Sequence, residues 1–235
     1  MPGLLETWTQ QIGWRIRKGN VVVEGENDVA LLEHTRSLYH AERGIDIFED
    51  FAVLAAGHGD DGGVDGVNRR LNAARQLAEA DVTNGAPQAR FIGLFDNDQA
   101  GRRALSRACG FDRRIVRYQD VFLLHPGMPS AMGSPGPVVE KRAQELNRHC
   151  KSLDWEIEDL LSPDLMRAFQ ADYPDAIVRE TTVGGATHRD LTRPGKARLK
   201  QYVRKYAGLQ DVMGLVRLTR ALRDYARLRQ DHISL

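Results

Sequence analysis

Short apolar runs rich in β-branched and aromatic residues alternate with amphipathic stretches along the first half of the chain. The apolar runs occupy 21–24, 51–56, 90–95 and either 115–118 or 121–124. The helical patterns that follow them occupy 27–42, 64–80 and 99–108. Strands separated by helices are typical of βαβ units, which build a parallel sheet covered on both faces. The pattern therefore predicts an α/β body with a mostly parallel sheet flanked by helices.

The second half of the chain has helical periodicity and follows a loop at 125–137 that holds four prolines and three glycines. The predicted helices occupy 138–149, 156–171, 193–207 and 211–230, with Gly184 and Gly185 as a turn between the second and the third. The last helix has an apolar face made of Val212, Leu215, Leu218, Leu222 and Tyr225. We expect that face to pack on the α/β body or on a partner.

Positive charge is concentrated in the C-terminal part of the chain. Residues 179–235 hold 13 Lys and Arg against 5 Asp and Glu, whereas the whole chain has a net charge of +1. We expect an N-terminal helical segment at 1–19, an α/β domain at 20–160 and a basic helical region at 161–235. A basic region attracts a phosphate backbone, although Lys and Arg also occur on helix faces that are merely solvated.

Composition narrows the class of protein. The hydrophobic content of 42% is ordinary for a globular chain. The sequence lacks both a run of eighteen apolar residues and a signal peptide, which predicts a cytoplasmic protein without a membrane span. Cys109 and Cys150 match no zinc-ligand spacing and are expected to be reduced and buried. The chain also lacks a Walker A motif and a nucleophile elbow, so ATP and serine hydrolysis are not supported.

Acidic residues follow two of the predicted strands. Glu24 ends the first strand, with Asp28 in the next helical turn, and Asp96 and Asp98 follow the strand at 90–95. Ligands bind at the carboxyl ends of strands in doubly wound sheets, and close carboxylates are costly unless a cation neutralises them. Oxygen ligands without His or Cys suit Mg²⁺ or Mn²⁺. The alternatives are that Asp96 and Asp98 cap the next helix, or that one of them accepts a phosphoryl group.

Two segments resemble the motifs of the TOPRIM family. VVVEGENDVALLE at 21–33 is similar to the strand that ends in Glu-Gly, and LFDNDQAGRRAL at 94–105 is similar to the Asp-x-Asp-x-x-Gly pattern. The resemblance covers under half of the chain and implies a TOPRIM-like, Rossmann-like fold. It also implies that Glu24, Asp96 and Asp98 bind Mg²⁺ or Mn²⁺ for phosphodiester chemistry on nucleic acid.

A later segment, DWEIEDLL at 154–161, is similar to the acidic element of OLD-family-like TOPRIM nucleases. That resemblance implies a second metal ion held by Asp28 together with Glu156 or Glu158, so that the site holds one or two ions. Acidic residues also favour helix N-termini because of the helix dipole, which is the alternative for this segment.

The same resemblance implies a catalytic basic residue on a later helix, for which Lys196 is the candidate. Lys196, Lys200 and Arg204 are spaced by four residues, so they share one helix face that can contact a nucleic-acid backbone. The alternative is a solvated basic face. His58 lies in a Gly-rich loop after the second strand, where we expect a flexible turn, with proton transfer or substrate contact as the alternative.

These features lead to a functional hypothesis, a metal-dependent nuclease acting on DNA or RNA. By resemblance to OLD-like systems, it implies a separate ABC-type ATPase partner or a homo-oligomer, and a role in phage defence. One alternative is primase-like nucleotidyl transfer, although the chain lacks the zinc ribbon of primases. The other is a non-catalytic TOPRIM module that binds nucleic acid or protein, as in recombination mediators.

Overall fold

The computed structural model describes residues 3–57, 62–83, 86–131 and 133–228. Its strands, in chain order, are β1 (Gly19–Val23), β2 (Phe51–Ala55), β3 (Val82–Thr83), β4 (Ala86–Pro87), β5 (Arg90–Phe95), β6 (Val121–Leu123), β7 (Ile177–Val183) and β8 (Ala186–Leu191). Its helices are α1 (Leu4–Gln11), α2 (Glu26–Arg43), α3 (Gly63–Ala80), α4 (Gln99–Phe111), α5 (Gly136–Leu146), α6 (Pro163–Asp172), α7 (Arg193–Tyr206) and α8 (Met213–Tyr225). The predicted N-terminal helical segment thus contains α1.

A four-stranded parallel sheet in the order β2-β1-β5-β6 forms the centre. Val21 of β1 pairs with Val53 of β2 on one side and with Ile92 of β5 on the other. The predicted α/β body with a parallel sheet is confirmed, and the arrangement is Rossmann-like. Of the two candidate segments for the last strand, the one at 121–124 forms it.

Both faces of the sheet are covered, as the continuous apolar runs require. Alternate residues of a strand point to opposite faces, so Val21 and Val23 join one hydrophobic core while Val22 joins the other. Helices α2 and α8 contribute to the first core, and α1, α3 and α4 contribute to the second. Parallel strands buried on both faces read as uninterrupted apolar sequence for this reason.

The C-terminal helices pack on the α/β body. The apolar face predicted for the last helix is buried in the core that also contains α2. The rings of Tyr225 and Phe122 stack at 4.1 Å between centroids, and the Arg220 guanidinium donates to the Tyr39 hydroxyl at 2.8 Å. Of the two expectations for this face, packing on the body is therefore the one observed.

The predicted helix at 156–171 is confirmed only from Pro163 onward, and its predicted start is wrong. The chain forms a 3₁₀ turn at Ile157–Leu160, becomes extended at Leu161, and begins α6 only after Ser162, whose hydroxyl accepts from the Leu165 amide at 3.1 Å. Proline disfavours helical geometry in the residue before it and is favoured in the first helical turn, so Pro163 marks a helix start. The last helix is also shorter than predicted and ends at Tyr225.

The basic C-terminal region is not wholly helical, because 177–191 forms the antiparallel hairpin β7-β8. Gly184 and Gly185 do form a turn, but it joins two strands rather than two helices. Their φ angles of 60° and 80° suit the mirror-image turn that fits the twist of a two-residue hairpin.

Two smaller expectations concern the thiols and the membrane. Both cysteines are free, with Cys150 buried and Cys109 half-buried. Within the ranges that the structure describes, every helix is too short or too polar to cross a bilayer.

Candidate metal and phosphate site

The two motif carboxylates meet at the carboxyl edge of the sheet. Glu24 directly follows β1 and Asp96 directly follows the neighbouring strand β5. The Glu24 Oε1 atom accepts a hydrogen bond from the Asp96 backbone amide at 3.2 Å. Residues 72 positions apart are therefore in direct contact because their strands are adjacent.

Asp28 joins this pair from the first turn of α2. Its Oδ2 atom accepts from the Gly25 amide at 2.9 Å, which satisfies one of the free N–H groups that precede the helix. The bond holds the Asp28 side chain against the turn that carries Glu24. Asp28 thus belongs both to the cap of α2 and to the acidic cluster.

The acidic segment after the long loop reaches the same edge through backbone hydrogen bonds. The Asn97 amide donates to the Trp155 carbonyl at 2.8 Å, and the Trp155 amide donates to the Asn97 carbonyl at 3.2 Å. This two-bond connection places Glu158 beside the sheet edge, where it is only 2% exposed. Glu158 therefore faces the other carboxylates from the opposite side.

Lys196 supplies the positive charge of the site. Its Nζ atom lies 2.8 Å from Glu156 Oε2 and 3.6 Å from Glu158 Oε1. Thr192 caps the start of α7 by accepting from the Gly195 amide at 2.9 Å, so the helix begins just before Lys196. Lys196 thus projects from the first turn of α7 into the acidic cluster.

These elements enclose a cleft of about 460 Å³. Its charged lining consists of Glu24, Glu26, Asp28, Asp96, Glu158, Arg193 and Lys196. Glu158 rather than Glu156 lines the cleft, which separates the two candidates that the sequence left open. Acidic groups from three separate segments and two cations of α7 therefore face one space.

Burial and mutual repulsion favour the protonated carboxyl groups here. Burial is the main cause that raises the pKa of Glu24 and of Asp28 to about 7, with neighbouring carboxylates adding to it. Burial, followed by Asp28 and Glu24, raises the pKa of Asp96 well above its usual range. Burial opposes the charged form of Lys196, yet Glu158 and Glu156 outweigh it and raise the pKa of the ammonium group.

The chemistry of the donors fits a hard divalent cation. All the acidic ligands offer oxygen, and the buried Glu158 Oε2 atom has no hydrogen-bond partner among the described residues. In the same described part of the chain, however, no group of three or more acidic, His or Cys side chains is arranged to hold a metal ion. The oxygen donors suit Mg²⁺ or Mn²⁺ by their chemistry, but the described side chains are not arranged around a common metal position.

Besides Glu156, three of the candidate residues lie outside the lining of this cleft. Asp98 Oδ1 accepts from the Gly101 amide at 2.6 Å and caps α4, which is the helix-capping alternative. Lys200 and Arg204 continue along α7 without joining the described lining of the cleft. Burial and then the charge of Arg204 lower the pKa of His34 on α2, so Arg204 lies near that helix. His58 falls outside the described residues.

The groups that support the acidic segment were not predicted from sequence patterns. His188 of β8 is buried and contacts Asp159 Oδ2 at 2.7 Å through Nδ1 and Asp190 Oδ1 at 3.0 Å through Nε2. The hydrogen bond to Asp159 is the main cause that raises the His188 pKa to about 9. A charged imidazole therefore joins the hairpin to the residue next to Glu158. Only the fold could reveal this pair, because the two residues are 29 positions apart.

Known proteins do not assign the cleft, because comparison of the chain with protein-family models, curated proteins and solved structures finds no match. A functional assignment therefore depends on the chemistry of the residues themselves. Clustered buried carboxylates beside an ammonium group can bind a divalent cation or hold protons near neutral pH, and perturbed groups of this kind concentrate at functional sites.

Proposed function

We propose that the protein is a TOPRIM-type, Mg²⁺- or Mn²⁺-dependent nuclease that hydrolyses phosphodiester bonds in DNA or RNA. The observation that carries the proposal is the meeting of Glu24, Asp28, Asp96 and Glu158 in one cleft at the carboxyl edge of a parallel sheet. Four carboxylates concentrated in this way are unfavourable for the metal-free protein, so a function that uses their charge is the simplest reason to keep them.

The residues divide into two roles in this proposal. Glu24 and Asp96 would hold one cation, and Asp28 and Glu158 would hold a second. When bound, the metal supplies Lewis acidity and offsets the charge of the phosphate. Asp98 stays at its helix cap and positions the turn that carries Asp96.

Lys196 has a different task. In the metal-free protein its ammonium group neutralises Glu156 and Glu158. With a cation bound beside these carboxylates, Lys196 would be available to the phosphate and would stabilise the negative charge that develops during hydrolysis. Arg193, which is exposed at the mouth of the cleft, adds attraction for the backbone.

The decisive experiment incubates the protein with supercoiled plasmid, single-stranded DNA and transfer RNA in Mg²⁺, in Mn²⁺ or in EDTA. We expect cleavage of at least one substrate that requires the metal and is lost in Asp96→Asn. Asp175→Asn is the matched control, since that carboxylate is 70% exposed and pairs with Arg198 at 2.8 Å away from the cleft. Metal-independent cleavage, or full activity of Asp96→Asn, would contradict the proposal.

The resemblance to OLD-like nucleases extends the proposal to a phage-defence effector that acts beside an ABC-type ATPase or as a homo-oligomer. The cleavage assay is therefore repeated at rising protein concentration and with an ATPase encoded beside it. Activity that appears only under those conditions identifies the requirement.

A second candidate function is a non-catalytic module that binds nucleic acid or protein. The specific observation in its favour is that Lys196 already pairs with Glu156 and Glu158, so the metal-free cluster is partly neutralised. Calorimetric titration with Mn²⁺ separates the two functions, because the nuclease requires binding that Asp96→Asn weakens. Heat of binding that is absent in both proteins favours the module.

A further inference from the structure

A second cavity lies on the same edge of the sheet, one strand further along. It measures about 590 Å³, within the range of about 300–1,000 Å³ that is typical of small-molecule sites. Asn97, which follows β5, and His125, which follows β6, line its floor. Asp96 lines the acidic cleft and its neighbour Asn97 lines this cavity. The two spaces are therefore adjacent and are separated by the Asn97–Trp155 connection.

The floor of the cavity carries a directed chain of hydrogen bonds. The Asn97 Nδ2 amide donates to His125 Nδ1 at 3.2 Å, and Arg102 fixes the orientation of the amide by donating to Asn97 Oδ1 at 3.1 Å. Burial lowers the pKa of His125 to about 4, so the ring is neutral and has one N–H group. Because Nδ1 accepts, that N–H group is on Nε2, and it donates to the Tyr118 hydroxyl at 2.8 Å.

This series of hydrogen bonds leaves hydrogen-bond donors, rather than acceptors, free to contact a ligand. The Tyr118 hydroxyl accepts from His125, so its own proton is available, and the Asn97 amide has a second proton. Tyr118 is held at this place with a φ angle of 54°, which is uncommon for a residue with a side chain. Strained residues concentrate at binding sites, where the fold compensates for their cost. The floor thus suits the carbonyl oxygens of a planar polar ligand.

The walls and the rim add apolar surface and positive charge. Leu153 and Trp155 provide buried apolar surface, while Arg102, Arg117 and Lys151 provide cations around the opening. Arg102 and Arg117 pair with Asp154 and Glu140, each at 2.8 Å, and remain 45% exposed. An apolar slot with a donor floor and a cationic rim matches a nucleobase that is attached to a phosphate.

We infer that this cavity binds one unpaired nucleotide of a nucleic-acid strand, next to the phosphodiester held in the acidic cleft. The inference rests on the proposed function and narrows it to single-stranded substrates or to duplexes with a base displaced from the stack. Base pairing covers the carbonyl groups that Asn97 and Tyr118 would contact, so a regular duplex cannot use the floor.

The test measures binding of a fluorescently labelled single strand of eight nucleotides by anisotropy in EDTA, so that cleavage plays no part. Ser106→Trp fills the cavity from an exposed rim position and is expected to weaken binding at least about tenfold, since contacts to one base contribute that much. Gln144→Trp fills it from α5 and gives a second variant if the first one unfolds. A matched duplex is expected to bind about tenfold more weakly than the single strand.

Lys151→Glu reports on the rim and Arg113→Glu is its matched control, because both side chains are exposed but Arg113 lies outside the cavity lining. We expect about threefold weaker binding and a smaller salt dependence for the first variant only. Equal binding by wild type and both tryptophan variants, equal binding of duplex and single strand, or no binding of the single strand by wild type would each overturn the inference.

Binding and cleavage separate this inference from the proposed nuclease function. If the single strand binds and Ser106→Trp removes binding while no metal-dependent cleavage is found, the cavity stands and the nuclease proposal fails. If cleavage is found and Ser106→Trp leaves both Kd and kcat/KM unchanged, the nuclease proposal stands and the cavity assignment fails.

Discussion

The two edges of the sheet differ in how their buried carboxylates are paired with cations. At the amino edge Asp120 is 2% exposed and accepts from Arg75 at 2.7 Å and Arg90 at 3.4 Å, while its second oxygen accepts from the Val116 amide at 2.9 Å. At the carboxyl edge Glu24, Asp28, Asp96 and Glu158 line one cleft together with Lys196 and Arg193.

The difference distinguishes charge that stabilises the fold from charge that is kept for a ligand. Every oxygen of Asp120 has a partner, so the buried ion pair costs little. At the other edge burial raises the pKa of Glu24 and Asp28 to about 7, which shows that their charged forms are poorly compensated. A difference in charge compensation between the two ends of one sheet therefore points to a candidate site without reference to any relative.

The largest effect is expected from a substitution in the acidic cluster at the carboxyl edge of the sheet. Asp96→Asn should lower kcat/KM for metal-dependent cleavage at least about 1,000-fold, equivalent to about 4 kcal/mol, because a metal ligand is lost. The same change should raise the free energy of unfolding at pH 8 by about 1 kcal/mol, since it relieves repulsion among carboxylates. Cleavage rates and urea unfolding measure the two quantities, and a stability loss would contradict the contrast between the edges.

The amino edge should respond in the opposite sense. Asp120→Asn leaves Arg75 and Arg90 without their shared counter-charge and is expected to lower the free energy of unfolding by about 3 kcal/mol. Asp175→Asn, which removes an exposed pair with Arg198, should change it by less than about 0.5 kcal/mol. Urea unfolding at pH 7 compares them, and equal small losses would show that the amino edge is not a structural ion pair.

The contact between His188 of the hairpin and Asp159 predicts a pH-dependent change in stability, of intermediate size among these effects. The folded pKa of His188, about 9, lies above its usual 6.5, so the contact stabilises the protein fully below pH 6.5 and is lost as pH rises through 9. His188→Gln should therefore cost about 2 kcal/mol at pH 7 and much less at pH 10. Urea unfolding at both pH values checks this, and a cost that is independent of pH would mean that the imidazole is not charged.

The smallest expected effect concerns metal binding without catalysis. Glu24 and Asp28 have folded pKa values of about 7, raised from 4.5 and 3.8, so their contribution to stability is lost as pH rises through 7. Mg²⁺ should offset that loss by binding the deprotonated groups, which stabilises the protein by about 1 kcal/mol more at pH 8 than at pH 6. Thermal unfolding with and without Mg²⁺ measures it, and Asp96→Asn should abolish the difference.

Hydrophobic patterns along the sequence predicted those elements of the fold whose burial follows a regular pattern. The strands β1, β2 and β5 were readable because parallel strands buried on both faces are continuous apolar runs. The hairpin β7-β8 was missed because β7 is mostly exposed and β8 is mostly half-buried, so neither strand has a clear apolar periodicity, although the Gly184-Gly185 pair was a usable turn signal.

The site was predictable only in part for a similar reason. Glu24 and Asp96 end neighbouring strands, so the sheet itself brings them together. Asp98 was expected to bind the metal together with Asp96, but β5 ends at Phe95 and the Asp98 side chain caps α4. Lys196 reaches Glu158 across 38 positions through tertiary packing, a distance that only the resemblance to a family had suggested.

The paired backbone bonds between Asn97 and Trp155 have a consequence for engineering. They join two loops that are far apart in the chain, so neither loop can be transplanted into another scaffold by itself. A chimaera that exchanges the 154–160 segment alone would misplace the Asp96 turn together with the wall of the neighbouring cavity. Recombination between distant homologues should therefore succeed only where both loops come from one parent.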